Sequence, residues 1–219
     1  MVFNLYFSNE LTNSYSLNNN YKIYKYSIKK NNDCNIETSF DIDFKKDGHK
    51  KTFGKTLIIG GDQDYLGSIL IAGTSALKTG NRYVEILTTE NHRNQIQFNR
   101  PELIVRDSYS ALNNSLDDYS CLLIGPGMSE NEWSLSIFEK IIPILNNNTN
   151  NIPIVADAGF LNLLAEKIFS YKNWILTPHP GEAAKMLQST VKSIQDNRIS
   201  SAIALKEKFG GAVLLKGNE

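Results

Sequence analysis

The sequence predicts an α/β fold with three layers, in which helices cover both faces of a mostly parallel sheet. From about residue 50 onward, short apolar runs alternate with longer stretches of helical periodicity. Several of the apolar runs end in glycine or proline, which is typical of a tight connection from a strand to a helix. No repeat of fixed period interrupts the alternation. The pattern therefore indicates one layered domain built on a parallel sheet.

The predicted strands are short apolar runs, because a strand that is buried on both faces needs no polar side. The predicted helices carry apolar residues at helical spacing, and the last one stops at Gly210 and Gly211, since glycine favours a helix end. One helix is predicted despite Pro143 near its end. In chain order, the predicted elements are strand 55–61, helix 67–79, strand 82–89, strand 121–127, helix 134–145, strand 152–159, helix 160–169, strand 173–179, helix 181–187, helix 191–209 and strand 212–217.

The first part of the chain differs in composition from the rest. Residues 1–48 are rich in Asn, Ser, Tyr and Lys and contain little that could form a core. They are predicted to be an Asn-rich leader or linker, with at most one edge strand in the short apolar alternation at 23–28. The domain itself is predicted to span residues 49–219, which is long enough to bury one substantial core.

Composition excludes several classes of protein. Lys and Arg together number 23, as do Asp and Glu, so the formal net charge is zero and nucleic acid is not an expected partner. The 2 cysteines form no Cys-x-x-Cys pair, which argues against a disulfide framework and a zinc site. Neither a signal peptide nor a membrane span is predicted, so no membrane partner is expected. The expected location is the cytoplasm.

Two predicted strand ends are rich in glycine. Ligands of parallel sheets bind beyond the carboxyl ends of the strands, so these ends are candidates for a site. The segments IIGGDQDYLGS (58–68) and LIGPGM (123–128) expose backbone amides that could face an anion. Each segment could also be no more than a tight turn.

Two further strand ends carry polar side chains. Asp157 in VADAGFLN could cap the following helix, or bind a ligand hydroxyl or a hydrated magnesium ion, and Asn162 lies one helical turn further on. His179 in LTPHPGEAA stands between two prolines in a turn that needs no imidazole, so it is either a surface histidine or a ligand contact. Because four such ends converge on one edge of the sheet, together they predict a binding site.

The ordered motifs resemble those of the ADP-dependent NAD(P)H-hydrate dehydratase family, which also forms the C-terminal domain of bifunctional repair enzymes. The resemblance covers about residues 49–219, and LTPHPGEAA is its most specific part. It implies a ribokinase-like three-layer α/β/α fold. The motifs that carry it are HKKTFGKTLIIGGDQDYLGS, RPELIV, LIGPG, DAGFLNLLA, LTPHPGEAAKML and AVLLKG.

The resemblance also implies a reaction and a set of contacts. ADP (or ATP) with Mg²⁺ would phosphorylate the ring hydroxyl of the S form of hydrated NADH or NADPH, and loss of phosphate would restore the reduced cofactor, with AMP released from ADP. No residue is assigned as a metal ligand. By carry-over, the contacts with the hydrated dinucleotide are Ser68, Gly127 and His179, and the nucleotide contacts are Lys216 and Gly217. Asp157 and Asn162 are predicted as further substrate contacts from their place at a strand end.

This sequence departs from the family pattern at three places. Gly159 stands where a second aspartate is usual, and Asn81 with Arg82 replaces small residues. The chain also stops at LLKGNE, before the glycine-rich GGxGDxL segment of the family. The last part of the fold is therefore expected to be missing, the catalytic aspartate to lie beyond Glu219, and these 219 residues alone to be inactive.

Two other functions stay open at this point. One is a ribokinase-like kinase of a vitamin precursor, and the other is a nucleotide-binding remnant without catalysis. The resemblance also leaves open whether the protein is a homo-oligomer. If His179 is a ligand contact in a surface loop, His179→Ala should weaken dinucleotide binding and leave the melting temperature almost unchanged. If it is a buried structural histidine bonded to a neighbouring loop, the same change should lower stability by about 1–3 kcal/mol.

Overall fold

The computed structural model describes residues 15–17, 21–23, 54–106, 112, 116–147 and 151–217. The chain divides into two units, one ending at Lys46 and one running from Asp47 to Gly217. In the first unit, β1 (Tyr15–Leu17) pairs antiparallel with β2 (Tyr21–Ile23). Most of the predicted edge strand at 23–28 lies outside the described residues, and the leader with its boundary at residue 48 stays a prediction.

A parallel sheet of seven strands organises the second unit, in the order β5-β4-β3-β6-β7-β8-β9. The chain winds outward from β3 to the edge strand β5 and then returns to β6, on the other side of β3. Open α/β sheets bind ligands beside such a switch point. The strands are β3 (Thr56–Ile59), β4 (Val84–Leu87), β5 (Ile104–Arg106), β6 (Cys121–Ile124), β7 (Ile154–Ala156), β8 (Trp174–Leu176) and β9 (Ala212–Val213).

Helices connect these strands, as the alternating pattern predicts, and the predicted α/β class with a mostly parallel sheet is confirmed. The helix predicted despite Pro143 also forms, with the proline inside its last turns. The helices in the described part of the chain are α1 (Leu66–Lys78), α2 (Arg93–Asn99), α3 (Glu132–Asn147), α4 (Gly159–Glu166), α5 (Pro180–Leu187), α6 (Val191–Asp196) and α7 (Arg198–Phe209), with a 3₁₀ turn at Glu90–His92.

The single helix predicted at 191–209 is wrong, because Asn197 separates α6 from α7. Asn197 has φ −131° and ψ 51°, outside the helical region. Its side-chain amide donates to the carbonyl oxygen of Ser193 at 3.4 Å, and such local bonds from Asn compete with helix continuation. The strand predicted at 212–217 is also shorter than expected. Beyond β9, only single bonds from Leu214 and Lys216 follow the neighbouring chain.

Both faces of the sheet contribute to the core. Leu57 and Ile59 of β3 point to the face that packs against α3 and α4. Ile58, between them, points to the opposite face, where Ile69 of α1 and Ile96 of α2 cover it. Because the two faces of β3 are both buried, the consecutive residues Leu57, Ile58 and Ile59 are all apolar.

The second face is covered unevenly by the described residues. Over β3, β4 and β5 the apolar side chains are buried under α1 and α2. Over β7 and β8, Val155 and Ile175 stay 36% and 44% exposed, and Leu214 beyond β9 is 55% exposed. No described helix covers this half of the face.

A buried carboxylate ties β4 to its neighbours. Glu85 is fully buried, and its carboxylate accepts hydrogen bonds from Arg106 and Tyr119, each at 2.7 Å, with Lys55 at 3.0 Å. Burial alone raises the pKa of Glu85, but the bonds from Arg106, Tyr119 and Lys55 outweigh it and hold this pKa below its ordinary value. Burial and the bond to Glu85 raise the pKa of Tyr119. The carboxylate is therefore charged and fully paired.

The lowered pKa of Glu85 makes the stability of the fold depend on pH. A carboxyl group whose pKa is lower in the folded state stabilises the fold above its ordinary pKa, and this contribution is lost as the pH falls through the folded-state value. Glu85→Gln should lower the free energy of unfolding by about 1–3 kcal/mol at neutral pH. The difference in the free energy of unfolding between Glu85→Gln and the wild type should become smaller below about pH 4.5.

Urea unfolding of both proteins between neutral and acid pH measures this difference. Glu139→Gln is the matched control, because Glu139 pairs with Lys167 at 2.8 Å on the surface, with 59% of its side chain exposed. The control should change the free energy of unfolding by no more than about 0.5 kcal/mol. If the difference in the free energy of unfolding between Glu85→Gln and the wild type does not change with pH, the conclusion that the Glu85 carboxylate is charged would be refuted.

Candidate functional site

The predicted binding edge is formed by the carboxyl ends of the parallel strands. The loops after β3, β6, β7, β8 and β9 all leave the sheet on this edge, because the strands run in the same direction. Each of the four motif-bearing ends lies there, together with the segment after β9.

The two glycine turns at the switch point bind each other through their backbones. The amide of Gly61 donates to the carbonyl oxygen of Pro126 at 2.9 Å, and the amide of Asp62 donates to that of Gly127 at 2.7 Å. A Cβ on Gly60 would lie 2.1 Å from the Pro126 oxygen, so no other residue fits there. The glycines after β3 are therefore needed for the close approach of two loops, whatever else they contact.

Asp62 reinforces this junction with its side chain. It is only 3% exposed, and its carboxylate accepts hydrogen bonds from the Ser129 hydroxyl and the Asn131 side-chain amide. Asn131 in turn accepts from the amide of Ser134 at 2.9 Å, which anchors the start of α3. Sequence analysis missed this residue, although an acid placed directly after the GG turn was a usable signal.

His92 holds the same loop from the side of β4. It is 4% exposed, with Nε2 at 2.9 Å from the carbonyl oxygen of Gln63 and Nδ1 at 3.1 Å from that of Gly61. Thr88 donates to the Gly61 oxygen as well, at 2.5 Å. Nothing in the sequence pattern pointed to His92, because its role depends on a loop 29 residues away.

Ser68 and Gly127, both predicted to contact the dinucleotide, are neighbours in the structure. Ser68 lies in the first turn of α1, and a Cβ on Gly127 would come within 2.9 Å of the Ser68 Cβ and 2.8 Å of the Tyr65 Cβ. Gly127 has a φ of 69°, which favours glycine for a second reason. A ligand at this part of the edge would therefore meet backbone atoms and one small side chain with a hydroxyl group.

His179 is the N-cap of α5 and not a simple loop histidine. Its Nδ1 accepts from the amides of Gly181 at 3.0 Å and Glu182 at 3.2 Å, and a Glu182 carboxylate oxygen accepts from the His179 amide at 2.8 Å. This reciprocal pattern is a capping box, with Pro180 in the first turn. The cap favours the structural role of His179, so His179→Ala should lower stability, because a lost cap costs about 1 kcal/mol.

The capping bonds also decide which ring nitrogen of His179 is available. Nδ1 accepts two hydrogen bonds, so the neutral ring carries its proton on Nε2. The side chain is 55% exposed. His179 can thus offer an N–H donor to a ligand while its other nitrogen holds the helix.

Asp157 does not cap α4, which excludes one of its two predicted roles. The N-cap of α4 is Ala158, and no side chain caps it. The Asp157 carboxylate instead lies 2.7 Å from Nζ of Lys216. Lys216 is also tied to the loop before α5, since its amide donates to the carbonyl oxygen of Pro178 at 2.8 Å.

The two other predicted ligand contacts are Asn162 and Gly217, and neither has a described bond to the pair of Asp157 and Lys216 through its side chain. Asn162 is half-buried in α4, and no described hydrogen bond joins it to Asp157, His179 or Lys216. Gly217 follows Lys216, where Arg198 of α7 donates to the carbonyl oxygens of Leu215 at 2.8 Å and Lys216 at 3.1 Å. In the described residues, no cluster of three or more His, Cys, Asp or Glu side chains forms a metal site.

Fold and edge together define the class of this domain. A doubly wound parallel sheet with glycine turns at the switch point, and with a lysine, a histidine and two carboxylates on the same edge, is an α/β domain suited to a phosphorylated ligand. The family Carb_kinase, described as NAD(P)H-hydrate dehydratase, matches residues 56–219. The chain belongs to this family.

Individual relatives agree with that assignment. The bifunctional NAD(P)H-hydrate repair enzyme Nnr of Coxiella burnetii is 34% identical over 174 residues, which cover 78% of this chain and 34% of the relative. The ADP-dependent (S)-NAD(P)H-hydrate dehydratase of Bacillus subtilis is 32% identical over 178 residues, covering 79% of this chain and 61% of the relative. The chain thus spans about a third of the length of the first and less than two thirds of the second.

Solved structures support the fold. The ADP/ATP-dependent NAD(P)H-hydrate dehydratase of Bacillus subtilis, co-crystallised with ATP and Mg²⁺, matches with a TM-score of 0.66 at 29% identity, over 79% of this chain and 61% of that one. A Streptococcus mutans protein matches with a TM-score of 0.69 at 23% identity, over 78% of this chain and 62% of that one, and shows the fold alone. The predicted ribokinase-like α/β fold is confirmed.

The close contact between the turn after β6 and the end of β7 predicts a strong effect of one methyl group. A Cβ on Gly125 would lie 1.7 Å from the carbonyl oxygen of Asp157, and Gly125 has a φ of 119°. Gly125→Ala should therefore lower the free energy of unfolding by about 3 kcal/mol or more.

Gly67→Ala is the matched control for this substitution. Gly67 lies in α1, and no atom lies within 4 Å of a Cβ built there. Because alanine favours a helix over glycine, the control should raise the free energy of unfolding by about 0.5–1 kcal/mol. Urea unfolding compares the two variants, and equal stability would contradict the described packing of the β6 turn.

Proposed function

We propose that the protein repairs hydrated NADH or NADPH by dehydration, with ADP or ATP as the phosphoryl donor. One observation carries the proposal. His179 and Lys216, to which the family motifs assign a dinucleotide contact and a nucleotide contact, lie on the same edge of the sheet, and the Lys216 amide is bonded to Pro178, next to His179. The names of the relatives support a dehydratase over a vitamin-precursor kinase, since they are called dehydratases or NAD(P)H-hydrate repair enzymes.

The finer properties of the substrate and the donor follow from individual relatives. The Bacillus subtilis relative is called an ADP-dependent (S)-hydrate dehydratase, whereas the Rattus norvegicus relative, 28% identical over 182 residues, is called ATP-dependent. For this chain we propose the S form of the hydrate as substrate, and ADP as donor because the Bacillus subtilis relative is the more similar of the two.

The chemistry explains why a dehydration uses a nucleotide. Water added to the reduced nicotinamide ring leaves a hydroxyl group, and hydroxide is a poor leaving group. Transfer of the terminal phosphoryl group of ADP to this oxygen forms a phosphate ester and releases AMP. The lone pair of the ring nitrogen then expels phosphate from the neighbouring carbon, and loss of a proton from the next carbon restores the dihydropyridine. In the balance, ADP and the hydrate give AMP, phosphate and the reduced cofactor.

The residues at the edge supply positioning and charge, which phosphoryl transfer needs most. Gly127 has no side chain and Ser68 has a small one, so a dinucleotide can approach both turns closely. His179 offers Nε2–H to an oxygen atom of the dinucleotide. Lys216, 40% exposed, offers a positive charge to the phosphates of the nucleotide.

Magnesium fits this edge as a companion of the nucleotide. Mg²⁺ keeps several water ligands and is usually held by one or two carboxylates together with phosphates. Asp157 is 31% exposed and presents one carboxylate next to Lys216. We propose that Asp157 holds the hydrated ion through water. When bound, the ion would neutralise charge on the transferred phosphoryl group.

Other expectations from the sequence stay predictions. One of them is a possible homo-oligomer. A cytoplasmic location is proposed on the same basis. In the described part of the chain, every helix is too short or too polar to cross a membrane.

The first test of the proposal is turnover. The protein expressed from its whole gene should convert hydrated NADH or NADPH to the reduced cofactor when ADP (or ATP) and Mg²⁺ are added, and not without the nucleotide. Recovery of the dihydropyridine absorbance measures the reaction. Turnover that does not need a nucleotide would contradict the phosphorylation step, and no turnover with any nucleotide would contradict the function.

The second test separates the two roles of His179. His179→Asn should keep the cap of α5, because Asn caps helices well, and should remove the Nε2–H donor. Its free energy of unfolding should stay within about 0.5 kcal/mol of the wild type, whereas His179→Ala should lose about 1 kcal/mol. Both variants should bind the hydrated dinucleotide about 2- to 12-fold more weakly.

Calorimetry of the 219-residue chain measures these affinities, and the Kd for ADP serves as the internal control, since it should not change. If His179→Asn binds the dinucleotide as tightly as the wild type does, His179 serves the helix alone.

A further inference from the structure

Glu182 belongs to neither group of predicted ligand contacts, yet it lies between them. It is 7% exposed and sits in the first turn of α5. One carboxylate oxygen, Oε2, accepts from the amide of His179 at 2.8 Å and lies 4.0 Å from Nζ of Lys216. The other, Oε1, lies 3.4 Å from Nε2 of His179. A single buried carboxylate therefore faces both the histidine and the lysine.

The capping box alone does not require this charge. Either Glu or Gln can complete a capping box, because the bond to the N-cap amide needs only a side-chain oxygen. A buried carboxylate is costly unless it is paired, so a charged residue here needs partners beyond the cap. His179 Nε2 and Lys216 Nζ are the groups that supply them.

The lysine is held from three segments of the chain. Asp157, at the end of β7, lies 2.7 Å from Nζ of Lys216, and Glu182 approaches from α5. The backbone amide of Lys216 is bonded to Pro178 in the loop that leads to His179. A change at Glu182 therefore acts on the His179 loop and on the Lys216 segment at once.

We propose that Glu182 is a positioning residue that orients His179 and Lys216 together, and so prepares the dinucleotide contact and the nucleotide contact with one carboxylate. This inference rests on the proposed function for the identity of the two ligands. Without the Glu182 carboxylate, the ring of His179 keeps only the two bonds at Nδ1, and the Lys216 ammonium is restrained by Asp157 alone.

Glu182→Gln separates the charge from the cap. Glutamine has the same shape and can still accept from the His179 amide, so the melting temperature should stay close to that of the wild type. Its amide group has no negative charge to face His179 Nε2 or to attract Lys216. Glu182→Ala removes the capping oxygen as well and should lower the melting temperature by about 2–4 °C.

The matched control is Glu166→Gln. Glu166 is a surface carboxylate of α4, 56% exposed, and it pairs with Lys185 at 3.3 Å. The same chemical change there removes one ion pair without touching His179 or Lys216.

Chemical labelling of the ligand-free chain tests the positioning directly. Diethyl pyrocarbonate modifies accessible imidazole rings, and an N-hydroxysuccinimide ester modifies accessible lysine amines, with both sites read by mass spectrometry. In Glu182→Gln, labelling of His179 and of Lys216 should each be faster by about two- to fivefold. In Glu166→Gln, only Lys185 should react faster. Unchanged labelling of either His179 or Lys216 in Glu182→Gln would overturn the proposal.

Affinity measurements on the same variants connect the positioning to function. Glu182→Gln should raise the Kd for the hydrated dinucleotide and the Kd for ADP, each about three- to tenfold, whereas Glu166→Gln should change neither. A variant that is labelled faster but binds both ligands normally would also overturn the proposal. If the wild-type chain binds neither ligand, the proposed function fails, and the labelling alone still decides whether Glu182 orients the two side chains.

Discussion

The backbone junction between the turn after β3 and the turn after β6 supports everything on the binding edge. At the switch point the two loops approach so closely that only glycine fits at the contact, and the amides of Gly61 and Asp62 donate to the carbonyl oxygens of the GPG turn. The loop after β7 packs against the same turn, since the Asp157 carbonyl oxygen fills the space that a Gly125 side chain would need. The position of Asp157 thus depends on Gly125 in the turn after β6, and the position of Lys216 depends on its ion pair with Asp157.

Two buried carboxylates keep this arrangement rigid at different places. Asp62 bridges the turns after β3 and β6, through Ser129 and Asn131. Glu182 connects the cap of α5 to the segment after β9. Both acids are buried and both have partners on other segments, which is the condition under which a buried carboxylate is tolerated. The geometry of the edge is therefore a product of side-chain bonds between loops as well as of the sheet.

Sequence reasoning was most successful where a property is local. Apolar runs such as LII in β3 and LLI in β6 predicted buried parallel strands, since both faces of such a strand are covered. It was wrong at Asn197, where a side-chain bond overrides good helical periodicity on both sides. Ser68, Gly127, His179 and Lys216 were assigned by resemblance and Asp157 by its place at a strand end, and the structure brings Ser68 next to Gly127 and Asp157 next to Lys216.

The supporting residues were beyond the reach of the sequence for a physical reason. His92 and Asp62 act on segments that are distant in sequence, and no spacing rule relates a side chain to a loop on another strand. Glu182 is the exception. The spacing of three residues from His179 is that of a capping box, so HPGE already contained the signal for the helix start. The capping box was missed because its first position is a histidine, whereas Ser or Thr is usual there.

The central claim is that one edge of the sheet holds both ligands, and an NMR titration of the 15N-labelled chain tests it most directly. Hydrated NADH should shift the amide signals of Ser68, Gly127 and His179, and ADP added afterwards should shift those of Lys216 and Gly217. Shifts confined to the opposite edge of the sheet, near Glu85 and Tyr119, or no shifts at saturating ligand, would contradict the account.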